Sequence, residues 1–327
     1  MRIAKDILLA CLCSLLVSCV GKESVSTSMK STISYNVVAG NLKTAVTKAE
    51  FDKALSFKSF AYFLDDGMSW DTNKNAAIPY IDGLSVSYDG NSESWHGDNT
   101  YYWPGKGSLT FFAFSPATLN ATIDQTSGIG IKGWDVSANP ATDIMIADVV
   151  KDKTAEDTAY GLNGVPTIFR HKLAKMTFKA NINSDPGDGS YVDVESITMT
   201  DVYTVGDYAE GTWQNLSSLK DITFVPDGGS SRLTATATGI GEPAMILPQT
   251  LYTDSYRTSA PMIVVKYIIN GTETEKSFRI NTLADQWLIN QNITYTIIFS
   301  LKEEYITFDT SVEDWTYTDG SSINIGQ

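Results

Sequence analysis

Residues 261–280 read PMIVVKYIINGTETEKSFRI, and this stretch decides the fold class. Valine and isoleucine dominate 261–269, as in a β-strand. Asn270 and Gly271 come next, and both tolerate the positive φ that a type I′ turn requires. A second segment of strand-like composition, 272–280, follows the turn. The stretch therefore predicts a β-hairpin that turns at Asn270-Gly271.

The segments on either side of this hairpin carry a second strand signal. Apolar and polar residues alternate in 173–182, where one face consists of Met176, Phe178, Ala180 and Ile182. They alternate again in 293–301, where one face consists of Ile293, Tyr295, Ile297, Phe299 and Leu301. A period of two residues is typical of a strand with one buried face, so both segments are predicted strands.

The composition of the whole chain agrees with a β fold. Apolar residues make up 43% and aromatic residues 11% of the 327 residues. Short runs rich in Val, Ile, Thr and Tyr are separated by Gly, Pro and Asn turns, and helical periodicity is almost missing. We therefore predict an all-β protein of antiparallel β-sandwiches. Its length fits two of them in series.

Two loops are candidates for the boundary between these domains. Residues 161–166 contain two glycines and a proline, and they favour a boundary near residue 164. The turn-rich stretch 183–190 is the alternative and would place the boundary near residue 187. With the first choice, the N-terminal sandwich spans 49–164 and the C-terminal sandwich spans 165–327.

Charge and motif content exclude several classes of function. The net charge of −14, with no basic cluster, argues against a nucleic-acid partner. The sequence at 128–133 matches G-x-G-x-x-G, but no strand–helix unit surrounds it, so a turn is expected there and not a dinucleotide site. The histidines are His96 and His171, and the chain lacks metal-ligand and nucleophile motifs, so we predict no metal, cofactor or catalytic residue. His171 is expected to be a structural histidine at a domain junction.

An aromatic cluster at 95–103 allows two interpretations. Trp95, Tyr102 and Trp103 would form a glycan-binding platform if their ring faces were free to stack on sugars. They would instead pack in the core if the cluster runs into the buried strand predicted at 109–114. We favour core packing, and the three residues remain candidate contacts for a host or dietary glycan.

The N-terminus has the features of a lipoprotein signal. Arg2 and Lys5 precede an apolar run that is too short to span a membrane, and this run ends at Ser18-Cys19. The small Ser18 would allow cleavage before Cys19, whose thiol would accept the lipid. We expect residues 1–18 to be a cleaved signal peptide; an ordinary secretory signal that happens to contain Cys19 is the alternative. The three cysteines all lie in the first 19 residues, so no disulfide is expected in the mature protein.

Several segments together resemble the fimbrillin family of lipoproteins, which are subunits of type V pili, and their Mfa-like relatives. These segments are the signal ending at Cys19, 47–51, 102–104 leading into 109–116, 169–176 and 311–315. The resemblance implies two transthyretin-like β-sandwiches in tandem, in agreement with the strand pattern.

The resemblance also implies a mode of assembly called donor-strand exchange. A protease cuts after a basic residue, the first strand of the N-terminal domain leaves, and the C-terminal strand of another subunit replaces it. The matching cut lies at Lys48-Ala49, so 19–48 would be a tether and propeptide that carries a strand near 33–38. The donor strand would lie within Trp315–Gln327 and would use Trp315, Tyr317, Ile323 and Ile325 as its buried residues.

One departure from the family leaves the role of the chain open. Lys48 stands where the family usually has arginine, so the chain would be either a stalk subunit or a tip or anchor subunit that keeps its lipid. A glycan-binding surface lipoprotein is the alternative function. The expected location is the outer membrane and the fimbrium, the expected partners are other pilus subunits, and no enzymatic activity is expected.

Overall fold

A computed structural model describes residues 31–39, 51–157, 164–183, 189–301 and 305–315. The described part is almost entirely β-structure, with one short helix, α1 (Trp70–Asn73), and two 3₁₀ turns at Lys74–Ala76 and Ile280–Thr282. The strands up to residue 171 are β1 (Tyr35–Ala39), β2 (Ser56–Leu64), β3 (Ile78–Asp89), β4 (Ser94–Gly97), β5 (Ser108–Ser115), β6 (Ala121–Asp124), β7 (Gly128–Asp135), β8 (Met145–Ala147), β9 (Val150–Lys153) and β10 (Val165–His171). The later strands are β11 (Ala174–Ile182), β12 (Val192–Ala209), β13 (Thr212–Phe224), β14 (Ser231–Arg232), β15 (Thr238–Gly239), β16 (Ala244–Ile246), β17 (Gln249–Thr250), β18 (Met262–Ile269), β19 (Thr272–Arg279), β20 (Gln286–Trp287), β21 (Gln291–Ser300) and β22 (Tyr305–Asp314).

The first sheet closes on itself. Its strands pair in the order β2-β3-β4-β1-β10-β8-β5-β9, and β5 also pairs with β2. These pairings link β2, β3, β4, β1, β10, β8 and β5 into a ring, which we call the first barrel, with β9 attached to β5. Closing a sheet in this way removes its edges. Every strand of the ring, including the short β1, is therefore needed for closure.

The first barrel encloses a core rich in aromatic residues. Phe51, Phe57, Trp95 and Phe169 are all buried inside it. The ring centroids of Phe51 lie 5.4 Å from Trp95 and 4.6 Å from Phe169. Such contacts add to the stabilisation that comes from burying the rings.

The second half of the chain is a sandwich of two sheets. One sheet has the order β15-β11-β21-β22, with β16 also on β11; the other has the order β19-β18-β12-β7-β6, with β13 and β14 also on β12. The faces of β11 and β21 predicted to be buried pack against β12 and β18. The all-β prediction is confirmed, and among the described strands the pairs β1–β10 and β11–β21 are parallel exceptions to the antiparallel pattern.

The predicted hairpin at Asn270-Gly271 is confirmed. Strands β18 and β19 pair antiparallel from Met262 with Arg279 to Ile269 with Thr272. The φ angles of Asn270 and Gly271 are 50° and 84°, as a type I′ turn requires. Strand β3 continues through Asp82-Gly83, where a sequence of this kind often turns, and its register against β2 shifts in this region.

Two features of the connectivity differ from the sequence pattern. The segment 128–133 lies in β7, and the β6–β7 hairpin joins the sheet of the second half through β12. The turn expected at 128–133 is therefore wrong, because these residues pair as a strand. Strand β10 follows residue 164 but pairs with β1 and β8, so the pairing favours a domain boundary after His171.

Among the residues that the structure describes, none belongs to a helix long and apolar enough to cross a membrane.

Candidate functional site

The site with the clearest functional geometry is the position of β1 in the first barrel. Strand β1 runs parallel to β10 over five residue pairs, from Tyr35 with Val165 to Ala39 with Phe169. On its other side it meets β4 through one pair, Tyr35 with Trp95. The residues just before β1 continue this pairing, since the backbone N–H of Ile33 donates to the carbonyl of Tyr101 at 2.9 Å. The segment 31–39 therefore joins two parts of the barrel that do not pair with each other directly.

The side chains of β1 alternate between the core and the surface. Tyr35, Val37 and Ala39 are buried, whereas Asn36 is exposed and Val38 is half-buried. The ring of Tyr35 packs edge-on against Phe57, with 5.5 Å between the centroids. The strand predicted near 33–38 therefore exists, starts two residues later, and buries three side chains in the barrel core.

A hydrogen bond inside the barrel fixes the position of Tyr35. Its phenolic hydroxyl donates to the Oγ of Ser59 at 3.0 Å, and both residues are buried. Burial raises the pKa of the Tyr35 phenol to about 12, so the group stays protonated and remains a donor at neutral pH. A buried hydroxyl without a partner is costly, so the two groups depend on each other.

Gly164 allows the close approach of β1. Its φ is +81°, and a Cβ atom there would lie 2.8 Å from the backbone of Tyr35. The backbone N–H of Val165, the next residue, donates to the carbonyl of Ser34 at 2.7 Å. A side chain at position 164 would therefore push against the main chain just where β1 enters the barrel.

The substitution Gly164→Ala is expected to loosen β1. The positive φ alone costs about 1–2 kcal/mol for a residue with a Cβ, and the contact with Tyr35 adds to this. Hydrogen exchange of the β1 amides should become faster, while exchange in β18 should stay unchanged. Gly105→Ala is the matched control, because a Cβ there meets nothing within 4 Å. Equal exchange of β1 in the two variants would contradict this role of Gly164.

The residues predicted as glycan contacts are not all accessible. Trp95 and Trp103 are 8% and 2% exposed, and both belong to the core of the first barrel, whereas Tyr102 is 46% exposed. The backbone N–H of Trp103 donates to the carbonyl of Ser31 at 3.0 Å, so the segment before β1 lies against this cluster. The burial favours core packing for both tryptophans, and only Tyr102 offers an accessible ring.

Trp315 occupies a position that its predicted role did not anticipate. It is 7% exposed and lies in a hydrophobic cluster with residues from both halves of the chain, including Phe114 and Leu247. Its ring stacks on His171, with 3.8 Å between centroids and 5° between planes, and the backbone N–H of Trp315 donates to Asn290. Trp315 thus packs in this chain's own core, which argues against its donation to another subunit.

His171 lies between the two halves of the chain, as predicted. It is fully buried, and its Nδ1 donates to the Oδ2 of Asp143 at 2.5 Å. Because His171 ends β10, it connects the neighbour of β1 to Trp315. Within the described ranges, no group of three or more His, Cys, Asp and Glu side chains is arranged to hold a metal ion.

The remaining residues of the predicted sites lie outside the described residues. They are Cys19, Lys48, Ala49, Tyr317, Ile323 and Ile325. Sequence reasoning missed Ser59 and Gly164. A serine inside an alternating strand gives no signal of its own, but the position of Gly164 next to a proline-containing strand could have suggested a close backbone approach.

Comparisons with known structures show similar folds. A fimbrial protein from Bacteroides vulgatus has a TM-score of 0.62 at 17% identity, and the match covers 88% of this chain and 100% of that one. A candidate cell adhesion protein from Bacteroides uniformis has a TM-score of 0.52 at 18% identity, covering 89% and 99%. A similar protein from Bacteroides ovatus has a TM-score of 0.54 at 14% identity, with the same coverage of 89% and 99%. A comparison with curated proteins gave no match.

A family model identifies the chain more directly than these distant structures do. The model described as fimbrillin-like matches residues 44–315, which is most of the chain and includes every described strand except β1. The matched region begins just before Lys48, so it leaves out the strand that closes the first barrel. The chain belongs to the fimbrillin-like family.

Proposed function

We propose that this protein is a structural subunit of a cell-surface fimbrium that assembles by donor-strand exchange. In this proposal Cys19 carries a lipid that holds the precursor at the outer membrane. A protease cuts at Lys48-Ala49, segment 31–39 leaves the first barrel, and a strand from another subunit takes its place. Membership of the fimbrillin-like family supports the proposal.

The observation that carries the proposal is the position of β1 in sequence and in space. It lies before Lys48 in the chain, yet it is an internal strand of the first barrel, between β4 and β10. A cut after Lys48 would leave β1 bound by hydrogen bonds and packing alone. Its departure would leave β4 and β10 with unpaired edges and would uncover the apolar core. Both changes favour the binding of another strand, because its main chain can pair with the edges and its apolar side chains can fill the core.

The burial of Phe51 indicates that the rest of the barrel would stay folded after the cut. Phe51 is 1% exposed and packs against Trp95 and Phe169, three residues after Lys48. The new N-terminus would therefore stay attached to the core by this ring. The loss would be confined to segment 31–39.

The other half of the exchange would use the tail that follows Trp315. Because Trp315 packs against His171 in its own chain, we place the start of the donated segment at residue 316. Ile323 and Ile325 remain the candidate residues that enter the neighbouring subunit, whereas Tyr317 lies only two residues beyond Trp315. The stack of Trp315 on His171 would then attach the tail to the body of the subunit that donates it.

The substitution Lys48→Gln tests the role of the cut. In cells that assemble the fimbrium, the variant should accumulate as an uncut lipoprotein and should be missing from sheared fibres, because β1 stays covalently attached. Lys43→Gln is the matched control: it also removes a lysine from the segment between β1 and Phe51, and it should enter fibres normally. Fibres that contain uncut Lys48→Gln subunits would contradict the proposal.

A further inference from the structure

We propose that the groove between β4 and β10, which β1 occupies, selects a strand with a tyrosine at the position of Tyr35, and that Ser59 is the residue responsible. We further propose that this strand comes from a subunit of different sequence. The inference rests on the strand exchange proposed above. It names the partner that such an exchange would use.

The selectivity would come from one buried hydroxyl. Ser59 lies on β2, is 1% exposed, and accepts the hydrogen bond of Tyr35 at 3.0 Å. Within the described part of the chain, its Oγ has no other hydrogen-bond partner. When β1 leaves, water can satisfy this hydroxyl in the open barrel. When a new strand enters, the hydroxyl is buried again, and a strand without a donor at that point leaves it unpaired.

The shape of the groove sets further requirements on the side chains of a strand that replaces β1. The inward positions of β1 hold Tyr35, Val37 and Ala39, so the side chains become smaller along the strand. The phenol packs against Phe57 and bonds to Ser59, while Ala39 is 3% exposed in the barrel core, where added volume usually costs stability. A matching strand would therefore read tyrosine, any residue, aliphatic, any residue, small.

This chain's own tail does not fit that pattern. Residues 316–327 read TYTDGSSINIGQ, and their single tyrosine is Tyr317. Two residues after it comes Asp319, which would place a carboxylate where Val37 is buried. In the reverse direction the corresponding residue is Trp315, which is packed in its own subunit.

The short distance along the chain from Trp315 also argues against Tyr317 as the hydrogen-bond donor to Ser59 of another subunit. It lies two residues beyond Trp315, and two extended residues span about 7 Å, which is too short to cross into the core of another barrel. Ile323 and Ile325 are far enough along the tail, but an isoleucine cannot donate to Ser59. The tail therefore fits the groove of a subunit of different sequence better than the groove of another copy of this chain.

Peptide exchange tests the inference directly. A recognition site for a specific protease is placed between residues 43 and 48 of the full chain, the chain is cut, and a labelled peptide of residues 31–39 (STISYNVVA) is exchanged into the barrel. Unlabelled peptides then compete: the same sequence, its Tyr35→Phe version, its Asn36→Gln version as the control at an exposed position, and the tail peptide 316–327. The series is repeated with Ser59→Ala.

The tyrosine peptide should compete about fivefold better than the phenylalanine version, which is the worth of one buried hydrogen bond. In Ser59→Ala this difference should fall below about twofold, and the Asn36→Gln peptide should behave like the parent in both proteins. The tail peptide should compete at least about tenfold more weakly than the parent. If Ser59→Ala does not fold, the peptide series on the natural sequence decides the matter alone.

Two outcomes would overturn the inference. Equal competition by the tyrosine and phenylalanine peptides would remove the role of Ser59, and equal competition by peptide 316–327 would make a second copy of this chain the donor. Exchange without any preference leaves the proposed assembly intact. A cut chain that exchanges no peptide would contradict both the assembly and this inference.

Discussion

Val37→Asp is expected to displace β1 and to destabilise the first barrel by about 3 kcal/mol or more. Val37 is 9% exposed and lies opposite Thr167 of β10 in the register of the strands. An aspartate there would bury a charge without a partner, which is among the most damaging single changes in a protein core. Because the bonds of β1 to β10 depend on its buried face, the strand should leave the barrel and remain attached only through the chain.

Chemical denaturation of the full chain measures this effect, and hydrogen exchange locates it. Asn36→Asp is the matched control, since it introduces the same charge one residue away on the exposed side of β1. The control should unfold within about 0.5 kcal/mol of the natural protein, as surface substitutions usually do. Similar unfolding midpoints for the two variants would show that β1 contributes little to the barrel.

Trp315→Ala is expected to cost about 3–5 kcal/mol, the usual range for removing a buried aromatic side chain. The indole stacks on His171, and the ammonium group of Lys175 lies 5.7 Å from the centroid of its ring. Its removal would leave a cavity between the two halves of the chain and would uncover the buried imidazole of His171. Both halves should therefore lose stability together.

The control for this variant lies three residues earlier, on β22. Val312 is 47% exposed, so Val312→Ala should change the free energy of unfolding by less than about 0.5 kcal/mol. Urea denaturation, followed by far-UV and near-UV circular dichroism, compares the two variants. A loss below about 1 kcal/mol for Trp315→Ala would mean that Trp315 does not hold the tail to the body.

The sequence predicted the strands with strong local signals and missed those with weak ones. Alternation in 173–182 and the Asn-Gly turn after 269 identified β11 and the β18–β19 hairpin because both signals depend only on neighbouring residues. The β12–β13 hairpin was missed, since it turns at Glu210-Gly211. Glutamate rarely adopts the positive φ of 52° that Glu210 has here.

Pairing between distant strands was beyond the reach of local patterns. Strand β1 pairs with β10 across about 130 residues of chain, and periodicity states that a strand has a buried face without naming its partner. The closure of the first barrel, and hence the internal position of β1, therefore came from the structure alone. The same limit applies to Trp95 and Trp103, because their residue types suit a binding surface as well as a core.

Strand β1 contributes to the stability of the first barrel and, in the proposed assembly, also controls polymerisation. The strand that closes the first barrel lies on the far side of Lys48 from the rest of the fold, and it is held by five main-chain pairs and three buried side chains. In the proposed assembly, β1 acts as an internal inhibitor of polymerisation until the chain is cut.

Mass spectrometry of the subunits in sheared fimbriae tests this account most directly. Fibres are isolated from cells that produce the natural sequence, and the N-terminus of this chain is determined together with its content of peptides from 31–39. The account predicts chains that begin at Ala49 and lack segment 31–39. Fibres in which each copy of the chain still carries residues 31–39 would contradict it.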